Sequence, residues 1–106
     1  MIDVIVPTHD GWKHLDLCIQ AVERFTKNDF KLIIVNNGSQ LKETRKFLDK
    51  AKSSGHVVVE LAQNVSFSKA INAGLAVSKG EYVTLLNDDV YVLESWDAQM
   101  VSELAD

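Results

Sequence analysis

Leu32-Ile33-Ile34-Val35-Asn36-Asn37-Gly38-Ser39 is the stretch on which the fold turns. Four consecutive apolar residues, mostly β-branched, read as a strand covered on both faces. The Asn-Asn-Gly-Ser run then stops it with residues that tolerate turns and left-handed backbone. The same signal stands upstream, where Ile2 to Val6 is a near-continuous β-branched run closed by Pro7, followed by a turn at Thr8-His9-Asp10-Gly11. Between the two, Leu15, Cys18, Ile19, Val22 and Phe25 recur at the spacing of one helical face, which predicts a first helix over Trp12 to Phe25.

The pattern continues downstream. Leu41, Phe47, Leu48 and Ala51 mark a second, more solvated helix that Gly55 ends, and Val57 to Leu61 is a third strand. A third helix is expected from about Ser66 to Ser78, with Ala70, Ile71, Gly74, Leu75 and Val77 on its apolar and small faces and Gly80 as its C-terminal glycine. Tyr82 to Leu86 is a fourth strand, terminated by Asn87-Asp88-Asp89, and a last helix covers Ser95 to Leu104. Four alternations of strand and helix predict parallel βαβ units with right-handed crossovers. The expected architecture is an α/β fold, a three-layer α/β/α sandwich on a mostly parallel four-stranded sheet of order 3-2-1-4.

Composition sets the bounds. With 106 residues, 46% of them apolar and 25% charged, the chain builds one core and no second domain. A formal charge of -4, with no basic run or stripe along the sequence, argues against nucleic acid as a partner. Cys18 is alone and sits among apolar positions, so it reads as a buried thiol rather than half of a disulfide. No transmembrane segment of ~20 apolar residues occurs, and the opening Met-Ile-Asp-Val-Ile-Val lacks the features of a signal peptide, so a cytoplasmic location is expected.

In open parallel sheets, ligands bind beyond the carboxyl ends of the strands, where strand order reverses. Order 3-2-1-4 makes strands 1 and 4 neighbours, which brings Thr8-His9-Asp10 and Asn87-Asp88-Asp89 together, with Asn36-Asn37 on the same rim. Two adjacent carboxylates repel unless a positive group compensates, and a divalent cation, Mg²⁺ or Mn²⁺, shared with substrate phosphates would do so. The plain alternative is an Asp-rich turn with both carboxylates in water.

Four pieces together resemble the nucleotide-sugar-binding half of family 2 glycosyltransferases, which have a GT-A, Rossmann-like fold. They are Pro7-Thr8-His9-Asp10, Val35-Asn36-Asn37-Gly38-Ser39, the run from Asn64 to Gly74, and the run from Gly80 to Val90 that ends in Asn87-Asp88-Asp89. The resemblance implies that Pro7, Thr8 and His9 flank the nucleotide base, with His9 where Tyr is common. Asn37 falls at a base-contacting position that is often Asp in the family. Asn87-Asp88-Asp89 looks like the family's DXD motif, with Asp89 holding the metal and Asp88 approaching the ribose or donor sugar and the same ion. Lys69 lies near the nucleotide by the same likeness, although an exposed helical lysine is the simpler reading. Ser66 replaces a glycine frequent in the family.

Other features carry less. His14 and His56 read as a helix-surface residue and a strand opener, with no further zinc ligands at useful spacing. Trp12 and Trp96 read as packing anchors, Asn37-Gly38-Ser39 and Asn64-Val65-Ser66 match the glycosylation sequon without a secretory signal, and neither G-x-G-x-x-G nor a Walker A motif occurs. A phosphorelay receiver is disfavoured because the paired acids follow strand 4 rather than strand 1.

The resemblance therefore implies an inverting transfer from a UDP-, dTDP- or GDP-linked sugar to a carbohydrate or glycolipid hydroxyl, assisted by a divalent metal. In that family the catalytic base lies beyond the metal motif, whereas this chain ends about seventeen residues after Asp89, and Glu94, Asp97, Glu103 and Asp106 match no family motif. The expectation is a donor-binding half, residues 1–106, with the acceptor half absent and little transfer activity by itself. A noncatalytic nucleotide-binding or self-associating module, a homodimer paired through strand 4, is the alternative.

Overall fold

A computed structural model describes residues 1–105 and contains eight alternating elements: β1 (Ile2–Thr8), α1 (Trp12–Phe25), β2 (Phe30–Asn37), α2 (Lys42–Ser53), β3 (Val57–Leu61), α3 (Phe67–Leu75), β4 (Tyr82–Leu85) and α4 (Trp96–Ala105). All neighbouring strands pair in parallel, in the order β3-β2-β1-β4. One sheet face, through Val4, Val6, Leu32 and Ile34, packs on Leu15, Cys18, Val22 and Leu48 of α1 and α2, with Trp96 and Met100 of α4 against the same cluster. The opposite face, through Ile5, Ile33 and Val35, is covered by Ala70 and Ile71 of α3. This is the expected three-layer sandwich.

Side-chain alternation explains why β1 is apolar from Val4 to Pro7, with successive residues facing opposite helical layers, and all seven residues of the strand are buried. β4 is different. Val83 and Leu85 are exposed, because α3 lies over β1 and β2 and does not reach them.

Pro7 does not end the first strand; it pairs with Val35 inside β1. Parallel strands alternate the neighbour to which each residue's backbone points. The Ile5 carbonyl accepts the Leu86 N–H at 2.9 Å, so Ile5, and with it position 7, points toward β4. β4 pairs with β1 only as far as Ile5↔Leu85, and an N–H at position 7 would find no strand partner there. Proline therefore costs this central strand no ladder bond.

The third helix is shorter than expected, ending at Leu75, and Leu75 and Val77 are exposed rather than packed. Gly80 is not its C-cap, which is Ala76. Instead the Ser78 hydroxyl and the Lys79 and Gly80 N–H groups each donate to Asp3 Oδ2 at 2.7 Å. A methyl group on Gly80 would overlap the Met1 carbonyl, so glycine is needed there for close approach. Burial pushes the Asp3 carboxyl upward, but the Ser78, Gly80 and Lys79 donors outweigh it and hold it below the ordinary carboxylate range.

In the second helix Leu41 is the exposed N-cap, and the buried polar residue Thr44 takes the inward position expected for it. The helical period also aligns Lys42, Lys46 and Lys50 at four-residue spacing on one face. A basic stripe thus exists in space, contrary to the expectation from the linear sequence. The last helix opens at Trp96, one residue later than expected, after Ser95 takes a left-handed φ of 59°.

Candidate functional site

The carboxyl ends of β1, β2 and β4 surround a cleft of ≈ 380 Å³ lined by Pro7, Thr8, His9, Asn37, Phe67, Asn87, Asp88 and Asp89. Parallel pairing causes the convergence: β1 and β4 run side by side although their ends are 80 residues apart in sequence. Of the candidate residues, Pro7, Thr8, His9, Asn37, Asp88 and Asp89 are brought together, whereas Lys69 is exposed on α3 and does not line the cleft. Ser66 caps α3 by accepting the Lys69 N–H at 3.3 Å, which places Phe67, the first helical residue, at the cleft instead.

Thr8 Oγ1 donates to Asp88 Oδ2 at 2.8 Å. Asp88 also lies against Gly11, the residue that caps α1, and a methyl group there would overlap Asp88 Oδ2. The positive end of a 14-residue helix favours a carboxylate in that place. Beneath the turn, the Cys18 Sγ is 3.9 Å from the Asn87 carbonyl oxygen. Burial first, and then the charges of Asp88 and Asp89, push this thiol up to about 11. Cys18 is a buried thiol as expected, and it forms part of the floor of the acidic turn.

On the β2 side, His9 Nδ1 lies 2.8 Å from the Asn37 carbonyl oxygen. A carbonyl only accepts, so Nδ1 carries the proton and Nε2 of the neutral ring is an acceptor. The Asn37 amide is engaged twice, accepting the Val65 N–H at 2.8 Å and donating to the Val65 carbonyl at 2.9 Å. It therefore clamps the β3–α3 loop as well as lining the cleft. Asp10, at a left-handed φ of 54°, accepts from the Gln40 and Leu41 N–H groups and from Thr44 Oγ1. These donors hold its carboxyl low, Leu41 foremost. The turn after β1 is thus fastened to the loop before α2.

Asp97, which matches no motif, is buried and accepts from the Lys27 N–H at 2.9 Å and from the Asn28 N–H and Nδ2 at 2.7 Å. It closes the α1–β2 turn from α4. His14 is exposed with Nδ1 3.0 Å from the Tyr91 hydroxyl, and His56 stacks on Phe30. Trp96 packs against the core and donates from Nε1 to Thr26 Oγ1, as an anchor should, but Trp12 borders a surface groove instead. As the first residue of α1 it lies beyond the end of the packed core. Asp106 lies outside the described residues.

Asp88 and Asp89 offer carboxylate oxygens, the donor class that Mg²⁺ and Mn²⁺ take. Asp89 is exposed, and only Oδ2 of Asp88 is engaged by Thr8, so the residues present fit a hard divalent cation. No third His, Cys, Asp or Glu among the described residues is grouped with them for metal binding.

Known proteins resemble this chain in sequence and in fold. The chain is 35% identical to an uncharacterized protein of Sinorhizobium fredii, y4gI, over 96% of its own length and 12% of the relative's. It is 26% identical to EpsJ of Bacillus subtilis, an uncharacterized glycosyltransferase, over 97% of its own length and 30% of that protein. Among solved structures, the mannosyltransferase PcManGT from Pyrobaculum calidifontis, in complex with GDP-Man and Mn²⁺, superposes with a TM-score of 0.88 at 20% identity, covering 99% of this chain and 32% of that one. S. aureus TarS 1-349 in complex with UDP-GlcNAc superposes with a TM-score of 0.82 at 21% identity, over 99% and 31% of the two chains. The chain thus spans about a third or less of the proteins it matches. The sheet order is that of the GT-A glycosyltransferases, and the sequence profile of Glycosyl transferase family 2 matches residues 3–106, so the chain belongs to that family.

Proposed function

We propose that residues 1–106 form the donor-binding half of an inverting glycosyltransferase, which takes a nucleoside diphosphate sugar in the cleft for transfer to an acceptor hydroxyl. The observation that carries this reading is the meeting of Pro7-Thr8-His9, Asn37 and Asn87-Asp88-Asp89 in one cleft. PcManGT with GDP-Man and TarS with UDP-GlcNAc support the ligand class.

The His9 and Phe67 rings both line the cleft, and a planar base stacks on such faces. His9 Nε2 supplies an acceptor to that base, while the bond from Nδ1 to Asn37 fixes the ring. Asp89 and Asp88 would hold the divalent cation, and Thr8 orients Asp88 toward it. When bound, the cation supplies Lewis-acid stabilisation to the departing nucleoside diphosphate.

Calorimetric titration of UDP, dTDP and GDP, with and without Mn²⁺, tests the reading. Metal-dependent binding that disappears in Asp89→Ala is the expected result. A folded sample that binds none of the three at millimolar concentration would refute it.

A further inference from the structure

A second surface runs along α2. This helix holds five of the chain's eleven Lys and Arg residues, although the whole chain carries a charge of -4. Arg45 is occupied by Glu60 at 2.7 Å and Asp49 at 3.6 Å. Lys42, Lys46 and Lys50 are exposed, and none of them forms an ion pair among the described residues. Their spacing makes one row of three ammonium groups along the solvent side of the helix.

Beside that row lies an apolar groove of ≈ 410 Å³, lined by Trp12, Glu43, Lys46, Phe47 and Lys50. Two lysines of the row therefore border the groove directly. Lys13 adds a fourth ammonium, 5.6 Å from the centre of the Trp12 ring. Glu43 is the one acid in the groove wall.

We propose that this α1–α2 face docks the chain peripherally on an anionic lipid bilayer. Charge complementarity selects the partner: a row of exposed, unpaired lysines on an otherwise acidic chain attracts anionic headgroups. The groove selects lipid over a soluble polyanion. An indole and a phenyl ring flanked by lysines whose alkyl stems can lie along apolar surface match the boundary between headgroups and acyl chains, where aromatic rings and snorkelling lysines settle. A soluble polyanion would need the ammonium groups alone. No helix among the described residues is long and apolar enough to cross a membrane, so the contact proposed is lateral. It does not depend on whether the cleft binds nucleotide.

Sedimentation of the intact chain with phosphatidylglycerol–phosphatidylcholine vesicles, against pure phosphatidylcholine vesicles, tests the proposal. Partition onto the anionic vesicles is expected, weakening as salt rises. It should fall by at least about 100-fold in K42E/K46E/K50E, from roughly fivefold for each lysine near the surface. An indole blue shift should accompany binding and be absent in Trp12→Phe. Circular dichroism verifies that each variant is folded, and K42Q/K46Q/K50Q replaces the charge reversal if that variant unfolds. Folded wild-type chain that stays in the supernatant at low salt overturns the proposal. So does undiminished partition of the lysine variant, or equally tight binding of polyglutamate or duplex DNA without an indole shift on vesicles.

Discussion

Thr8 Oγ1 donates to Asp88 Oδ2 at 2.8 Å, joining the end of β1 to the acidic turn after β4. A hydroxyl that donates to a carboxylate fixes its rotamer and directs the other oxygen away from the bond. Replacing Thr8 by Val keeps the shape and removes the donor. Because hydrogen bonds to charged groups are worth about 1.5–3 kcal/mol, Mn²⁺-dependent nucleotide affinity is expected to fall by about tenfold or more. Thr8→Ser should restore most of it, and titration calorimetry of the three proteins distinguishes the loss of a donor from the loss of packing.

Gly11 tests the same carboxylate from the other side. Its φ of -96° is open to any residue, so alanine brings no backbone strain, but its methyl group would overlap Asp88 Oδ2. Gly11→Ala is expected to leave stability within about 1 kcal/mol, the range of a capping change, while displacing Asp88 and lowering metal-dependent affinity. Urea unfolding and nucleotide titration on one preparation separate the two effects. Unchanged affinity would mean that Asp88 does not set it.

Acid sensitivity should trace to four carboxyls held low, Asp3, Asp10, Glu60 and Asp97, of which Asp3 and Asp97 are the buried pair. For Asp97, as for Asp3, burial raises the carboxyl and its donors, here Lys27 and Asn28, more than offset that rise, so the folded-state value is depressed. A depressed carboxylate stabilises the fold above its unfolded value, near 3.8, and that stability is lost as pH falls through the folded value. Stability is therefore expected to decline as pH falls through the unfolded value of 3.8 and on toward the depressed folded value. Asp97→Asn should cost about 1–3 kcal/mol at neutral pH, since Asn turns one acceptor into a donor facing donors. It should also flatten the acid limb, as measured by urea unfolding across that pH range.

Cys18 predicts the opposite limb. Its thiol is raised from 9.0 to about 11, by burial and then by Asp88 and Asp89, so the folded chain prefers the neutral form. The associated stability is complete below pH 9 and is lost as pH rises toward 11. Iodoacetamide at pH 8 should label the folded chain far more slowly than the chain in urea, and Cys18→Ala should weaken the alkaline decline in stability. Equal labelling rates in the two states would place the thiol outside the core.

Local periodicity revealed much of this architecture because each strand and helix buries a recognisable face. α1 and β3 begin and end where the apolar spacing places them. The errors arise where distant parts of the chain decide. Proline inside β1 is harmless only because β4 stops short of it. The third helix ends early because Asp3, some 75 residues away, binds the segment that would have extended it. Asp97 showed no motif, since its role depends on the turn at Lys27 and Asn28. The cleft itself was legible, because polar residues at strand ends need only the strand order to converge. The position of Phe67 was within reach, as an aromatic residue directly after the capping Ser66, but its contact with the cleft depends on where α3 lies.

The central position of β1 also orders the events of folding. β1 gains β2 after about 28 residues but must wait for a segment 80 residues later before its other edge is covered. During synthesis β1 emerges before β2 and β4 and is fully paired only after β4, and closing so long a loop is among the slowest steps in forming a sheet. Thr8 and Asp88 meet only when that loop closes. An incompletely folded chain consequently carries no assembled cleft, and the nucleotide binding proposed for that cleft is expected only once β4 has paired with β1.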